Sequence, residues 1–189
     1  MSNPSLYLKQ LELGPMQNFV YLVGDPESRE AAVVDPGWEV PQILSAAQRD
    51  GYRLTKALVT HHHFDHVGGL TELLTAVDLP VYVHRNDAAQ VRLQRGTVTP
   101  TVGGDPIEVG QLSIVPIHTP GHTPGSQCFL VNGYLLSGDT LFIKACGRWD
   151  LPGGDPSALW NSLMTLNFSM MTMSSNPVRR ARSPKLFEG

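Results

Sequence analysis

The heptapeptide Thr60-His61-His62-His63-Phe64-Asp65-His66 contains four histidines and one aspartate, and it directly follows the apolar run 57–59. Imidazole nitrogens and carboxylate oxygens are ligands that zinc and similar divalent metals prefer in proteins. Packing alone does not account for these side chains, because each buried ring nitrogen needs a hydrogen-bond partner. The stretch therefore predicts a metal site at the end of a buried strand.

The composition of the 189-residue chain is that of a globular protein. Apolar residues make up 41% and charged residues 16%, which differs from the low hydrophobicity and high charge of disordered chains. The net charge of −3 does not indicate a basic surface of the kind that binds a nucleic acid. Cys128 and Cys146 are too few for a disulfide framework. The length suits one domain, predicted over residues 1–189.

The sequence shows no sign of secretion or of a membrane span. Its N-terminal residues lack a basic segment followed by an apolar stretch. No apolar run is long enough to cross a bilayer as a helix. We therefore expect a cytoplasmic protein that binds neither a membrane nor a nucleic acid.

Apolar patterning and turn residues predict an α/β fold. Helices are expected over 38–50 and 70–77, and a third from about Pro156, whereas residues 95–106 are predicted to be a loop. The predicted strands cover residues 6–13, 19–23, 31–34, 54–59, 81–83, 112–117, 126–131 and 134–137. Because strands outnumber helices, we expect a sandwich in which helices cover sheets and the metal site lies at strand ends.

Three motifs, in this order along the chain, resemble the signature of the metallo-β-lactamase superfamily. They are the heptapeptide 60–66 followed by Gly68-Gly69, the segment 119–126 around His122, and the segment 137–142 around Asp139. The resemblance extends from about residue 6 to about residue 166. Segment 146–154 is similar to the hydroxyacylglutathione hydrolase (glyoxalase II) branch. The resemblance implies an αββα sandwich with the metal site between the two sheets.

The resemblance also implies two adjacent metal half-sites. Zinc is the expected metal, with iron or manganese as alternatives. Alternate residues of an extended segment point the same way, which lets residues 61, 63 and 65 converge. Asp65 is expected to orient the attacking hydroxide as well as to bind metal, and Arg148 to contact the substrate. The implied ligands are His61, His63 and His122 for the first metal, Asp65 and His66 for the second, and Asp139 as a bridge between them.

Hydrolysis of a thioester such as S-lactoylglutathione by a metal-bound hydroxide is the activity that this resemblance implies. Metal coordination lowers the pKa of water to about 7. A thiol with a pKa of about 8.5 leaves as the thiolate without a general acid. The expected partner is therefore a small thioester, with a glutathione conjugate as one form, and self-association of the chain stays open.

The C-terminal part departs from the family pattern, which has a further histidine well after the bridging aspartate. The seven histidines of this chain end at His122. Residues 167–175 also lack the strand and turn that the family places there, so residues 167–189 form an atypical C-terminal segment. We expect the second half-site to bind its metal more weakly than the first, and a sheet edge to be left unpaired.

Two other functions stay open. A persulfide dioxygenase shares the fold and would hold a single iron with the residues that match His61, His122 and Asp139, a two-histidine, one-carboxylate arrangement. A weakly active or non-catalytic member would result if the incomplete second half-site prevented turnover.

Four further polar residues are predicted to lie outside the metal site. His62 should point away from it, His84 and His118 should pack near strand ends, and Asp35 should cap a turn.

Overall fold

The first sheet of the computed structural model, which describes residues 5–172 and 179–180, begins as an antiparallel meander and continues with parallel strands. Its order is β1-β2-β3-β4-β5-β6, and pairing is parallel from β3 onward. The strand bounds are Tyr7–Leu13, Asn18–Gly24, Glu30–Val34, Arg53–Leu58, Val81–His84 and Val98–Thr101. Because β3, β4 and β5 are parallel, the residues that follow them emerge at one edge of the sheet.

The second sheet has the order β13-β10-β9-β8-β7. Strands β7 to β10 pair antiparallel, whereas β13 pairs with β10 in parallel. Their bounds are Ile107–Val109 (β7), Leu112–His118 (β8), Gln127–Val131 (β9), Tyr134–Leu136 (β10) and Arg179–Arg180 (β13). A separate hairpin joins β11 (Leu141–Phe142) to β12 (Ala145–Cys146).

Within the described part of the chain, four helices flank the sheets, with the bounds Val40–Arg49 (α1), Phe64–Val67 (α2), Leu70–Ala76 (α3) and Pro156–Thr172 (α4). Pro41 lies in the first turn of α1, where a missing N–H costs nothing. Helices α1 and α3 pack on the first sheet, and α4 contacts the second through Leu166, which packs with Cys128 and Leu135. The layer order is therefore α–β–β–α, which confirms the predicted sandwich.

The C-terminal ends of strands β3 and β4 are apolar on both faces. Val33 and Ala57 pack towards α1 and α3, while Val34 and Leu58 pack between the sheets against residues such as Phe129. A strand that is covered on both faces has a continuous run of apolar residues in its sequence. The chain changes from these apolar ends to polar residues where the strands stop, and there it places Asp35 and the heptapeptide 60–66.

Two expectations need correction. Residues 95–106 are not all loop, because β6 pairs in parallel with β5 as an edge strand that accommodates Pro100. The predicted unpaired edge is also wrong at two positions of β10, since Tyr134 and Leu135 pair with Arg179 and Arg180. Residues 167–172 are helical, and the rest of the predicted atypical segment, apart from 179–180, lies outside the described residues.

Candidate metal centre

Loops from both sheets bring the six predicted metal ligands together. His61 and His63 follow β4, and Asp65 and His66 lie in the short helix α2. The loop between β8 and β9 supplies His122, and the residues after β10 supply Asp139. Residues from distant parts of the chain therefore meet at the strand ends, as the sequence predicted.

The first group consists of His61, His63 and His122, each of which offers one nitrogen within 4.8 Å of the others. The Nε2 atoms of His61 and His122 are 3.2 Å apart. The ring of His63 lies edge-on to both, with centroid distances of 4.8 Å to His61 and 4.6 Å to His122. Three imidazoles thus surround one point.

The second group lies beside the first: His66 and Asp139 share it with His61, and Asp65 approaches it through His66. His66 Nε2 is 3.3 Å from Asp139 Oδ1 and 3.5 Å from Asp65 Oδ2. The other oxygen of Asp139, Oδ2, is 3.5 Å from His122 Nε2. The two oxygens of Asp139 therefore face the two groups separately, as a bridging carboxylate requires.

In three of these histidines the Nδ1 atom contacts an oxygen, and this contact turns the Nε2 atom towards the centre of the site. The Nδ1 contacts are 3.0 Å from His61 to Thr60 Oγ1, 3.0 Å from His66 to Asp35 Oδ2, and 2.6 Å from His122 to the Arg148 carbonyl. A proton on each Nδ1 leaves the Nε2 lone pair facing inward. Two such lone pairs only 3.2 Å apart repel each other unless a cation lies between them. This donor set fits a divalent metal.

The pKa values of these groups favour metal-binding forms in the first group. Burial, together with the neighbouring imidazoles, holds the pKa of His61 well below its ordinary value. Burial also lowers the pKa of His63 to about 4. Both rings are therefore neutral at neutral pH and can donate a lone pair to a metal.

The second group is dominated by its carboxylates. Burial disfavours the protonated form of His66, but Asp139 and Asp35 outweigh this effect and raise its pKa well above the ordinary value. Burial likewise opposes ionisation of Asp139, yet His66 and His122 keep the pKa of this carboxyl below its usual range. Excess negative charge thus attracts a cation to this position, be it a proton or a metal.

Sequence reasoning missed Asn18, the buried first residue of β2. Its Nδ2 donates to Asp65 Oδ2 at 2.8 Å and to the Asp65 carbonyl at 3.3 Å, and it lies 3.2 Å from His66 Nε2. Asn18 therefore orients the Asp65 carboxylate. The only signal in the sequence is a polar residue at the start of an apolar strand.

Asp35 does more than cap a turn. Its Oδ1 accepts a hydrogen bond from Thr60 N at 2.7 Å, and its Oδ2 accepts from Thr60 Oγ1 at 2.7 Å and from His66 Nδ1 at 3.0 Å. One carboxylate therefore holds the start of the heptapeptide and the ring of His66. The position of the Asp-Pro-Gly segment after β3, the parallel neighbour of β4, was the available signal.

Arg148 lies at the rim of the centre and acts through its backbone. Its carbonyl accepts the hydrogen bond from His122, while its exposed guanidinium makes two 2.9 Å hydrogen bonds to Asp150. Substrate binding by this side chain stays a prediction. The preceding Gly147 approaches the Asp139 carbonyl so closely that a Cβ atom has no room there.

The remaining histidines lie outside the two groups. His62 Nδ1 faces Asp87 Oδ2 at 2.9 Å. His84, the last residue of β5, stacks on His118 with 3.8 Å between ring centroids. These positions agree with the packing roles predicted from the sequence.

No helix among residues 5–172 is long and apolar enough to cross a membrane.

Comparison with known proteins agrees with this geometry. The family model of the Metallo-beta-lactamase superfamily matches residues 13–169. A protein named hydroxyacylglutathione hydrolase from Pseudomonas fluorescens is 39% identical over 153 residues, covering 79% of this chain. The chain spans only 56% of that relative's length.

Solved structures show the same fold. The crystal structure of TTHA1623 in a di-iron-bound form has a TM-score of 0.77 and 32% identity, covering 94% of this chain and 92% of that one. ETHE1 from Myxococcus xanthus has a TM-score of 0.82 and 26% identity, covering 97% and 77% respectively. The family match, the relatives and the arrangement of histidines and aspartates lead to one conclusion: the chain belongs to the metallo-β-lactamase superfamily, in its glyoxalase II-like branch.

Proposed function

We propose that this metallo-hydrolase cleaves a small thioester, such as S-lactoylglutathione, in the cytoplasm. The observation that carries the proposal is the placement of Asp139, whose two oxygens face the His61/His63/His122 group and the Asp65/His66 group separately. A carboxylate in this position suits a pair of adjacent divalent metals. The named relative from Pseudomonas fluorescens supports a thioester as the substrate.

The protein's own residues prepare the site for hydrolysis. Divalent metals bound here would lower the pKa of water towards about 7 and polarise the carbonyl group of the substrate. Asp65, fixed by Asn18 at 2.8 Å, would accept a hydrogen bond from the attacking water and orient it. The thiolate product leaves unprotonated, because its conjugate acid has a pKa of about 8.5.

The two half-sites are not equivalent in this proposal. The first has three imidazoles and one oxygen of Asp139, enough protein ligands to hold a metal to which water would add as a further ligand. The second has His66, Asp65 and the other oxygen of Asp139, and the sequence contains no histidine after residue 122 to complete it. We propose a first metal that is held tightly and a second that is held weakly.

The test combines metal content with turnover on one sample. Protein purified without added metal is dialysed, its metals are identified and counted, and release of thiol from S-lactoylglutathione is followed before and after zinc is added. We expect about one tightly bound equivalent per chain and an activity that rises with added metal. Asp139→Asn should lose the second metal and most of the turnover. Full metal loading without thiol release would overturn the proposed substrate, and two equivalents retained after dialysis would overturn the weak second half-site.

A mononuclear-iron persulfide dioxygenase is the alternative, and the incomplete second half-site favours it. His61, His122 and Asp139 lie together as a two-histidine, one-carboxylate set, and the likeness to ETHE1 keeps this alternative in view. Tightly bound iron with oxygen uptake in the presence of a persulfide would favour it over the hydrolase. Absence of either reaction in metal-loaded protein would leave a non-catalytic role. Self-association stays a prediction that sizing in solution can check.

A further inference from the structure

We infer that Asp87 is a positioning residue that sets the distance between the two loops of the first half-site. The inference rests on the proposed metal centre and not on the identity of the substrate. Asp87 belongs to the segment after β5, the third of the parallel strands whose ends meet at the site. Its side chain has no contact with solvent, although a carboxylate buried without partners is strongly unfavourable.

Donors from both ligand-bearing loops satisfy this carboxylate. Oδ2 accepts a hydrogen bond from the backbone N–H of His62 at 3.0 Å and from the hydroxyl of Thr123 at 2.7 Å. Oδ1 accepts from the backbone N–H of Gly125 at 2.7 Å. One side chain therefore bridges the loop after β4 and the loop between β8 and β9.

Two of these donors are chain neighbours of the three predicted ligands. His62 lies between His61 and His63, and Thr123 follows His122. Displacement of either donor moves a neighbouring imidazole with it. Since His61 and His122 converge to 3.2 Å at their Nε2 atoms, a small shift between the loops changes the geometry offered to a metal.

A second link joins these loops further from the ligands. Gln127 donates through its backbone N–H to Thr60 O at 2.9 Å and through Nε2 to Val59 O at 2.8 Å. These bonds join the end of β4 in the first sheet to the start of β9 in the second, and they hold the bases of the loops. Asp87 acts at the level of the imidazoles, and it packs so closely on Gly125 that a Cβ atom there would lie 2.5 Å from the Asp87 carboxyl carbon.

Charge makes Asp87 suited to this role. Burial disfavours its ionised form, but the hydrogen bonds from His62 and Thr123 outweigh burial and hold its pKa below the usual range. The ionised carboxylate accepts hydrogen bonds only. An amide of the same shape would turn an NH2 group towards the donors on one side.

The decisive variant is Asp87→Asn in the full chain, with Asp78→Asn as a matched control because Asp78 is exposed and follows α3, away from the site. Zinc affinity is measured by competition with a chromogenic chelator, at a temperature where circular dichroism shows each variant folded. Absorption spectra of the cobalt-loaded proteins report the coordination geometry of the first metal.

We expect Asp87→Asn to weaken binding of the first metal by about 10- to 100-fold, the usual effect of removing a partner that orients metal ligands. The cobalt spectrum should change, and Asp78→Asn should match the unmodified chain in both measurements. If Asp87→Asn lowers the thermal stability but leaves the zinc affinity and the cobalt spectrum unchanged, Asp87 is only structural. This result would overturn the inference.

A second variant keeps the test decisive if Asp87→Asn does not fold. Thr123→Val removes the 2.7 Å hydrogen bond to Asp87, together with the 2.8 Å contact to Ser126 Oγ, and keeps the side-chain shape and the Asp87 charge; Ser126→Ala, which removes the Ser126 contact but not the bond to Asp87, is its control. Thr123→Val should weaken the first metal less than Asp87→Asn but measurably, and unchanged affinity would overturn the inference. An unmodified chain that binds no metal would overturn the proposed metal centre itself, which distinguishes the two failures.

Discussion

Replacing Asp35 with asparagine should weaken the second metal while leaving the fold intact. The backbone at Asp35 has a φ of +53°, a left-handed conformation that asparagine tolerates and alanine does not. The amide oxygen of the substituted side chain can keep the hydrogen bond from Thr60 N, and the Thr60 hydroxyl can turn to accept from the new NH2 group. His66 Nδ1 has no such option, because its N–H, 3.0 Å from Oδ2 in the unmodified chain, would face another donor.

The size of the effect follows from this one lost contact. A hydrogen bond to a charged group contributes about 1.5–3 kcal/mol, which corresponds to about 10- to 150-fold in an equilibrium constant. If the His66 proton moves to Nε2 to avoid the clash, the nitrogen that faces Asp139 can no longer bind a metal. We therefore expect the second metal to bind about 10- to 100-fold more weakly and the first to change much less.

Isothermal titration of zinc into metal-free protein resolves the two binding steps. Asp25→Asn is the control, because Asp25 is also buried and also accepts backbone hydrogen bonds, from Glu27 and Gln111 among others, but does so far from the centre. It should lower the free energy of unfolding and leave both zinc affinities unchanged. An unchanged second affinity in Asp35→Asn would refute the reasoning that this carboxylate fixes His66.

Three further predictions concern the stacked pair His84 and His118 and the rim of the metal centre. Burial and the stacked His118 lower the pKa of His84 to about 4, so the unfolded chain, with a histidine pKa of about 6.5, takes up the proton first. Stability is then lost as the pH falls below about 6.5. Between about pH 7 and about pH 5, the free energy of unfolding measured in urea should fall by about 2 kcal/mol more in the unmodified chain than in His84→Gln; equal losses would contradict this. Gly147→Ala should displace the Asp139 backbone and reduce bound metal in elemental analysis, and normal metal content would show that the hairpin can adjust. Arg148→Ala should raise KM for S-lactoylglutathione several-fold with little change in kcat, because its carbonyl remains available to His122; an unchanged KM would remove Arg148 from substrate binding.

The sequence predicted the parts of the molecule that are coded locally. The heptapeptide 60–66 follows an apolar run, and the structure places it at the end of β4. Apolar periodicity likewise predicted α1 and α3 to within a few residues. By contrast, β6 was missed because Gly96, Pro100 and the neighbouring glycines are typical of loops, and only pairing with β5 makes this segment a strand.

The residues that support the ligands could not be predicted in the same way. Asn18 reaches Asp65 across 47 positions, and Asp87 reaches Thr123 across 36. Nothing within either segment indicates the partner, because the contact depends on which strands become neighbours. The metal ligands can be predicted from a resemblance to a family, because they occur in motifs with a recognisable spacing. The contacts that orient these ligands are seen only in the folded structure.

The division of the ligands between the two sheets has a consequence for the lifetime of the protein in a cell. The first sheet carries His61, His63, Asp65 and His66 on the residues after β4, whereas the second sheet carries His122 and Asp139 on its loops. A bound ion would therefore act as a crosslink between the halves of the sandwich, in addition to the apolar layer around Phe129. At free metal about 100-fold above the dissociation constant, such a crosslink adds about 2.7 kcal/mol to the free energy of unfolding. Metal starvation would then expose the chain to proteolysis, so that the amount of enzyme, and not only its activity, would follow the metal supply.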